Sequence, residues 1–370
     1  MSTGTPTAPV ISAWTAISPF GHDRASFADG VRTRTSPVST IDTQRWARGP
    51  AGTAATVPGF EPREFLGTKG TRAMNRVSGL AVAAAKHLLA DIGVEPGDER
   101  DDIGFVLGTT TGSVQSMMDL TRASLTGDKP DHVEPAAVPG CVMNCAAGQA
   151  AIWHGLKGPN ATIAAGRTTG PHALNYARRL LRTGRATRVL CGAAEEYSPA
   201  RAWVEHHRRG GGDDPVVIGE GCAMFLLEPA DLRPPGRRVL GTLEGFESRV
   251  CLDGDLAGTV AVAVRGLLSA AGVAPEQVWA ATGSGFTDSR GEPVETVALR
   301  ELFGDAPVDR VPSADLLGDT ASASAMFQLA AVLSVAESAE RAGADHTVVT
   351  TCDDDGSVAC TLLRLGEPVA

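Results

Sequence analysis

The sequence predicts an α/β fold made of two duplicated halves, residues 1–235 and 236–370, with an excursion around 109–145. Three observations predict it. The first is the stretch Asn160 to Glu195, which reads as a buried strand, a tight turn at Gly166 to Gly170, a helix and a second buried strand. The second is an internal echo. A helix, the run AGVAPEQ and a strand Val278 to Thr282 repeat the order of an earlier helix, the run IGVEPGD and a strand Ile103 to Leu107, and Ala321 to Thr351 matches Thr169 to Ala194 in the same way. The third is composition: 370 residues, 43% hydrophobic and 21% charged, suffice for a large core or two fused half-domains. Buried strands alternating with helices imply parallel strands covered on both faces. A pseudo-two-fold between the halves then sets the helix start after Arg167 beside the helix start after Asp319.

Taken in order, Val10 to Ile17 is a short strand and Asp23 to Val31 a helix, followed by a Pro-, Gly-, Ser- and Thr-rich surface excursion from Arg34 to Phe60. Arg72 to Ile92 is a helix with an Ala-rich buried face, ended by GVEPGD, and Ile103 to Leu107 is a buried strand. Thr109 to Pro135 leaves the alternation and holds a helix, Gly112 to Leu125, bearing Met117, Met118 and Leu120. Gly140 to Gly155 reads as a helix with Cys141, Met143, Cys145 and Trp153. In the helix after Arg167, apolar residues at Ala173, Leu174, Ala177, Leu180 and Leu181 keep helical spacing, Pro171 suits a first turn and Gly184 a terminus. Residues 196–221 read as a loop-rich connector, and Cys222 to Glu228 as a strand.

A net charge of −10 and a pI near 5.3 exclude nucleic acid as a partner on electrostatic grounds. Arg178, Arg179, Arg182, Arg185 and Arg188 form either a solvated helix face or a local basic patch for an acidic carrier. The seven cysteines are scattered without a CxxC pair and read as small buried hydrophobes. No metal or other cofactor is expected: His206-His207 lacks further ligands at suitable spacing, and Asp353 to Asp355 reads as a solvated turn, with a cation loop as the alternative. A polar N-terminus and the lack of any stretch of membrane-spanning length lead to the expectation of a cytoplasmic protein without membrane partners.

The runs GQAAIWHGLKGPNATIAAG, GEGCAMFLLEP and GEPVETVALRELFGD together resemble the β-ketoacyl synthases of the thiolase fold. The resemblance implies a five-layered α-β-α-β-α core. It also implies that Arg167 stands where the family has its acyl-accepting Cys, Ser284 at the first catalytic His, Asp319 at the second, and Asp315 near a Lys. An acyl-transferring ketosynthase needs a nucleophile at the helix N-terminus and two His to polarise the thioester carbonyl. Thr168 and Thr169 are hydroxyls without an evident His partner, and His172 reads as a surface or interface residue.

Losing all three catalytic groups suits a subunit like the chain length factors, the ketosynthase β-subunits of type II polyketide synthases. Such a subunit forms a heterodimer with an active ketosynthase α-subunit, meets acyl carrier protein mainly through that partner, and has no independent activity. Arg167 at a helix N-terminus is unfavourable unless an anion meets it, which Asp319 or Asp315 could supply. Met117, Met118, Cys141 and Met143 are the candidate walls of the acyl tunnel, with ordinary core packing as the alternative for each. Two competing readings remain at this level: a stand-alone thiolase-fold acyltransferase or hydrolase with relocated catalytic groups, and a scaffold without a tunnel.

Overall fold

The computed structural model describes residues 8–94, 100–212, 215–288, 291–312 and 314–368, the side chains of Ala314 and Asp315 excepted. In the N-terminal half β1 (Pro9–Ile17) is buried throughout, and α1 (Arg24–Thr33) starts where the Asp23 carboxylate accepts the Ser26 N–H. Then come β2 (Ser39–Thr40), β3 (Thr53–Ala55), α2 (Pro62–Leu66), α3 (Arg76–Asp91) and β4 (Ile103–Gly108). The chain continues through α4 (Val114–Thr126), α5 (Cys145–His154), β5 (Asn160–Ile163), α6 (Thr169–Arg182), β6 (Arg188–Glu195), α7 (Pro199–Arg208), β7 (Ile218–Gly219) and β8 (Gly221–Pro229). The C-terminal half adds β9 (Gly241–Val250), α8 (Leu256–Ala271), β10 (Val278–Thr282), α9 (Val294–Phe303), α10 (Asp305–Asp309), α11 (Ser324–Ala336), β11 (His346–Cys352) and β12 (Ser357–Leu365).

The sheet order is β10-β11-β12-β9-β1-β8-β6-β4-β5. Read outward from the β1–β9 junction, β1, β8, β6, β4 and β9, β12, β11, β10 are the same sequence of elements. In each run the second strand is antiparallel to its neighbours and the outer pair is parallel. The sheet is therefore mixed, not purely parallel as strand-helix alternation predicts: β6–β8 and β11–β12 are antiparallel pairs, and β11–β12 is a tight hairpin over Asp353 to Gly356. Helices α3 and α5 cover the outer face of one half, and α8 and α9 that of the other. Between them α6 touches β6 of its own half and β9 and β12 of the other, while α11 touches β11 and also β1 and β8. This is the α-β-α-β-α thiolase fold. Its central layer is the apolar stripe of α6, Ala173, Leu174, Ala177, Leu180 and Leu181, set against Met326, Phe327 and Ala330 of α11. Each such Leu stabilises the fold by about 1.5–3 kcal/mol.

Four segments differ from the sequence reading. The connector after Glu195 contains α7, whose start is encoded by Ser198, which caps the Arg201 N–H, and by Pro199 at the first position. The helix predicted over Gly140–Gly155 begins only at Cys145; a 3₁₀ turn over Pro135–Cys141 precedes it, so Cys141 and Met143 lie outside α5. The Arg34–Phe60 excursion is partly internal, with Ala54, Ala55, Val57 and Phe60 buried and β3 paired to β2 and β7. Finally β5, predicted as buried, is the edge strand of the sheet and is only half-buried. Of the GVEPGD run that ends α3, residues 95–99 lie outside the described residues. Among the described residues no helix is long and apolar enough to cross a membrane.

Candidate functional site

The turn after β5 delivers Arg167 to the start of α6. Gly166 is required there twice over: its φ is +55°, and a Cβ would collide with the Asp353 carboxylate. Thr169 closes the turn by donating its hydroxyl to the Gly166 carbonyl at 2.7 Å and accepting the Ala165 N–H at 2.8 Å. Arg167 is 4% exposed. Its guanidinium Nη2 donates to Asp319 Oδ2, and Arg209 Nη2 donates to the same oxygen at 2.8 Å. Asp319 Oδ1 accepts the N–H of Ala321, which is held at φ +43°, an uncommon conformation for a residue with a Cβ. Arg201, buried on α7, ties the Asp319 carbonyl at 2.9 Å to the Glu196 and Gly219 carbonyls, each at 2.8 Å.

The electrostatics follow from this packing. Burial works to raise the Asp319 carboxyl, but the charges of Arg167, Arg209 and Arg201 overcome it and hold it well below the usual carboxylate range. Burial likewise opposes the Arg167 charge, and Asp319 and Asp353 more than restore it, so the guanidinium stays protonated. The Arg167 main-chain N–H donates to Asp353 Oδ2 at 2.8 Å. A helix N-terminus that could otherwise hold an oxyanion is thus occupied by the chain's own carboxylate. On the far wall, Ser284 donates its N–H at 2.7 Å and its hydroxyl to Glu295 Oε2, while Thr350 holds Oε1 at 2.9 Å. Burial pushes the Glu295 carboxyl up to about 7, against these hydrogen bonds. Arg167, Arg209, Ser284, Phe286 and Asp319 line a cavity of about 210 Å³.

The fold therefore brings Arg167, Ser284 and Asp319 together, whereas the Asp315 side chain lies outside the described residues. No thiol substitutes for a nucleophile in this cavity: Cys191, Cys222, Cys352 and Cys360 are buried, and burial raises each of them. His172 packs edge-on against Phe246 at 5.0 Å, and His206 and His207 stack around Trp203. The Asp353–Asp355 turn is anchored by charge, since Asp353 binds the Arg167 amide and Asp354 pairs with Arg208. Among the described residues no group of three or more potential ligands could hold a metal ion.

Met117, Met118, Cys141 and Met143 lie on a second face. Met118 is 44% and Met143 47% exposed, while Met117 and Cys141 are half-buried, and the Cys141 thiol donates to the Ser116 carbonyl at 3.3 Å. Core packing therefore does not account for Met118 or Met143. The sequence reading missed Arg201, Arg209 and Glu295. Ser198-Pro199 was a usable signal that the two arginines lie on and just past a helix; Glu295 had none, since an acidic residue in a helix is ordinarily solvated.

Residues 9–232 match the family model described as β-ketoacyl synthase, N-terminal domain. The chain belongs to the β-ketoacyl synthase family. This ketosynthase-family chain is 25% identical over 292 residues to 3-oxoacyl-[acyl-carrier-protein] synthase 2 of Vibrio cholerae, covering 70% of this chain and 68% of that one. It is 24% identical over 330 residues to the synthase of the same name from Coxiella burnetii, with 80% and 77% covered. Among solved structures it is similar to the ishigamide ketosynthase/chain length factor, with a TM-score of 0.90 and 42% identity over 97% of this chain and 99% of that one. A β-ketoacyl synthase from Burkholderia phymatum shares the fold at a TM-score of 0.81 and 20% identity, over 97% and 99% of the two chains.

Proposed function

We propose that this chain is the non-catalytic, chain-length-setting partner of an active ketosynthase. The observation that carries the reading is the buried Arg167–Asp319 pair. It occupies the position at which the ketosynthase resemblance places the nucleophile and one of its two histidines, and the adjoining amide is capped by Asp353. A guanidinium cannot accept an acyl group, and breaking this pair to free the site would strand a buried charge. The similarity to a ketosynthase/chain length factor at 42% identity supports the same assignment.

The second face supports a partner. The half-buried edge strand β5 lies at the end of the sheet, and Met118, Val138, Val142, Met143 and the 84% exposed Ile152 lie on the segments on either side of the turn into α5. An open sheet edge and apolar side chains of this kind favour covering by another subunit. On this reading the growing acyl chain hangs from the partner's cysteine, runs between the subunits, and stops where Met117, Met118, Cys141 and Met143 fill the space. Acyl carrier protein delivers its cargo mainly to the partner.

The test is native mass spectrometry of the chain alone and co-expressed with the ketosynthase encoded beside it. A stable one-to-one heterodimer that makes polyketide, with no acyl-thioester turnover by this chain alone, is the expected result. A homodimer that ignores the ketosynthase and turns over acyl thioesters would overturn it in favour of a stand-alone acyltransferase or hydrolase.

A further inference from the structure

The segment from β4 into α4 is held from the end of β6 by two consecutive buried carboxylates. Glu195 Oε1 accepts the Thr110 N–H at 2.6 Å and the Thr110 hydroxyl at 2.9 Å. Glu196, 2% exposed, accepts the Ser113 hydroxyl on Oε1 at 2.8 Å and the Val77 N–H on Oε2 at 3.2 Å. Ser113 is the N-cap of α4 and accepts the Ser116 N–H at 3.2 Å; Val77 lies in the first turn of α3. The Glu196 carboxylate thus sits where two helices begin, and takes donors from both of those N-termini.

Its neighbours leave it without a cation of its own. Arg76 gives Nε at 2.6 Å and Nη2 at 2.5 Å to Glu220, and Arg201 binds the Glu196 carbonyl oxygen. Burial, with the Glu220 charge adding to it, pushes the Glu196 carboxyl up to about 7 against the donors from Ser113, Val77 and Gln115. Helix α4 buries only Val114, and its first turn is otherwise tied by longer hydrogen bonds, from the Ala200 N–H to Gln115 Oε1 at 3.3 Å and from the Cys141 thiol to the Ser116 carbonyl at 3.3 Å. The side chains that follow within the next turn are Met117 and Met118, so the anchor at the helix start decides where they lie.

We propose that Glu196 is a positioning residue for product length: by fixing the first turn of α4 it sets where Met117 and Met118 meet the acyl chain. This rests on the tunnel reading above. The chemistry it requires is an acceptor at this spot with two free oxygens, one for each helix; ionised Glu supplies both, whereas Ala supplies none and Gln must turn a donor toward Val77 or Ser113.

The experiment uses the co-expressed heterodimer and reads product masses, heterodimer yield and melting temperature for Glu196→Ala, Ser113→Ala, Met118→Trp and Val264→Ala. Val264 is buried in the α8 core of the other half, far in the fold from α4, and serves as a control for lost stability alone. Loss of a cap-type hydrogen bond changes the occupancy of the anchored helix roughly fivefold, so the ratio of adjacent chain lengths should move by a similar factor in Glu196→Ala. Ser113→Ala should move it in the same direction and less, and Val264→Ala not at all. If Met118→Trp shifts the products while Glu196→Ala and Ser113→Ala lose only stability, as Val264→Ala does, the positioning role is wrong and the tunnel stands. If Met118→Trp is silent too, the tunnel reading falls and this inference with it. Should Glu196→Ala fail to assemble, Ser113→Ala decides, because it removes the helix-cap contact and leaves the carboxylate in place.

Discussion

The centre around Arg167 and the face around Met118 handle unmet interactions in opposite ways. At the centre, Asp319 answers two guanidinium groups with one oxygen and the Ala321 amide with the other, and Asp353 takes the helix-start amide, so its charges are met inside the chain. On the face, Met118, Met143 and Ile152 stay exposed, so among the described residues this apolar surface is left uncovered. Polar groups are closed off inside the chain at the centre, whereas apolar groups are left open on the face. Duplication supplied the closure. The loop before α6 contributes the cation and the loop before α11 the anion, two nearly equivalent points of the pseudo-symmetric halves.

The comparison breaks most readily at the centre. Asp319→Ala leaves Arg167 buried without its counter-ion, which should cost about 3–5 kcal/mol in urea unfolding. The double variant Arg167→Ala with Asp319→Ala should recover part of that loss, because neither charge is then stranded. A double variant no more stable than Asp319→Ala alone would mean that Arg167 is not the group that needs the carboxylate.

Next in size is a pH effect carried by carboxyls near each region. Burial raises Glu295, under Ser284, and Glu196, at the start of α4, to about 7 from the ordinary 4.5. Between those values the folded chain holds protons that the unfolded chain has released, so this stability is complete below pH 4.5 and is lost as pH rises through 7. The loss is on the order of 3 kcal/mol for each group. Glu295→Gln keeps the shape, with an oxygen for Ser284 and an amide for the Thr350 hydroxyl, and should flatten the slope of unfolding free energy against pH. An unchanged slope would place the titration elsewhere.

On the open face a charge should spare the fold and harm the assembly. Ile152→Asp, at a position 84% exposed, should change protomer stability by less than about 0.5 kcal/mol. A charge buried in the apolar part of an interface should still weaken pairing with a ketosynthase by roughly tenfold or more, read by analytical ultracentrifugation. Equal pairing by both forms would move the interface off α5.

The centre was more legible in the sequence than the face or the support beneath either. The strand-turn-helix pattern around Gly166 placed Arg167 because turn, helix period and terminator agreed locally. The carboxylate opposite it lies 152 residues further along the chain and became visible through the internal repeat together with the ketosynthase resemblance. Glu295 left no local trace, because an acid within a helix looks solvated until tertiary packing buries it, and Arg209 could be placed just past a helix but not against Asp319. Strand direction also escaped, because β8 and β12 are as apolar as a parallel strand covered on both faces. Cys141 and Met143 were assigned to a helix since their apolar spacing does not register the Pro139-Gly140 break before them.

The smallest structural perturbation gives the sharpest reading of the open face. Met118 is 44% exposed, so Met118→Trp adds volume on the solvent side and should leave the chain's unfolding free energy within about 0.5 kcal/mol. If the face walls an acyl tunnel, the added ring takes space that the last units of the product would occupy. The product should then shorten, while heterodimer yield stays at the wild-type level. The ring sits on α4, whereas Arg167 is held by its pair with Asp319 at the start of α6. Shortened product with an intact heterodimer therefore assigns length control to α4, whereas an unchanged product from an intact heterodimer removes Met118 from the wall and leaves the exposed apolar side chains with assembly as their role.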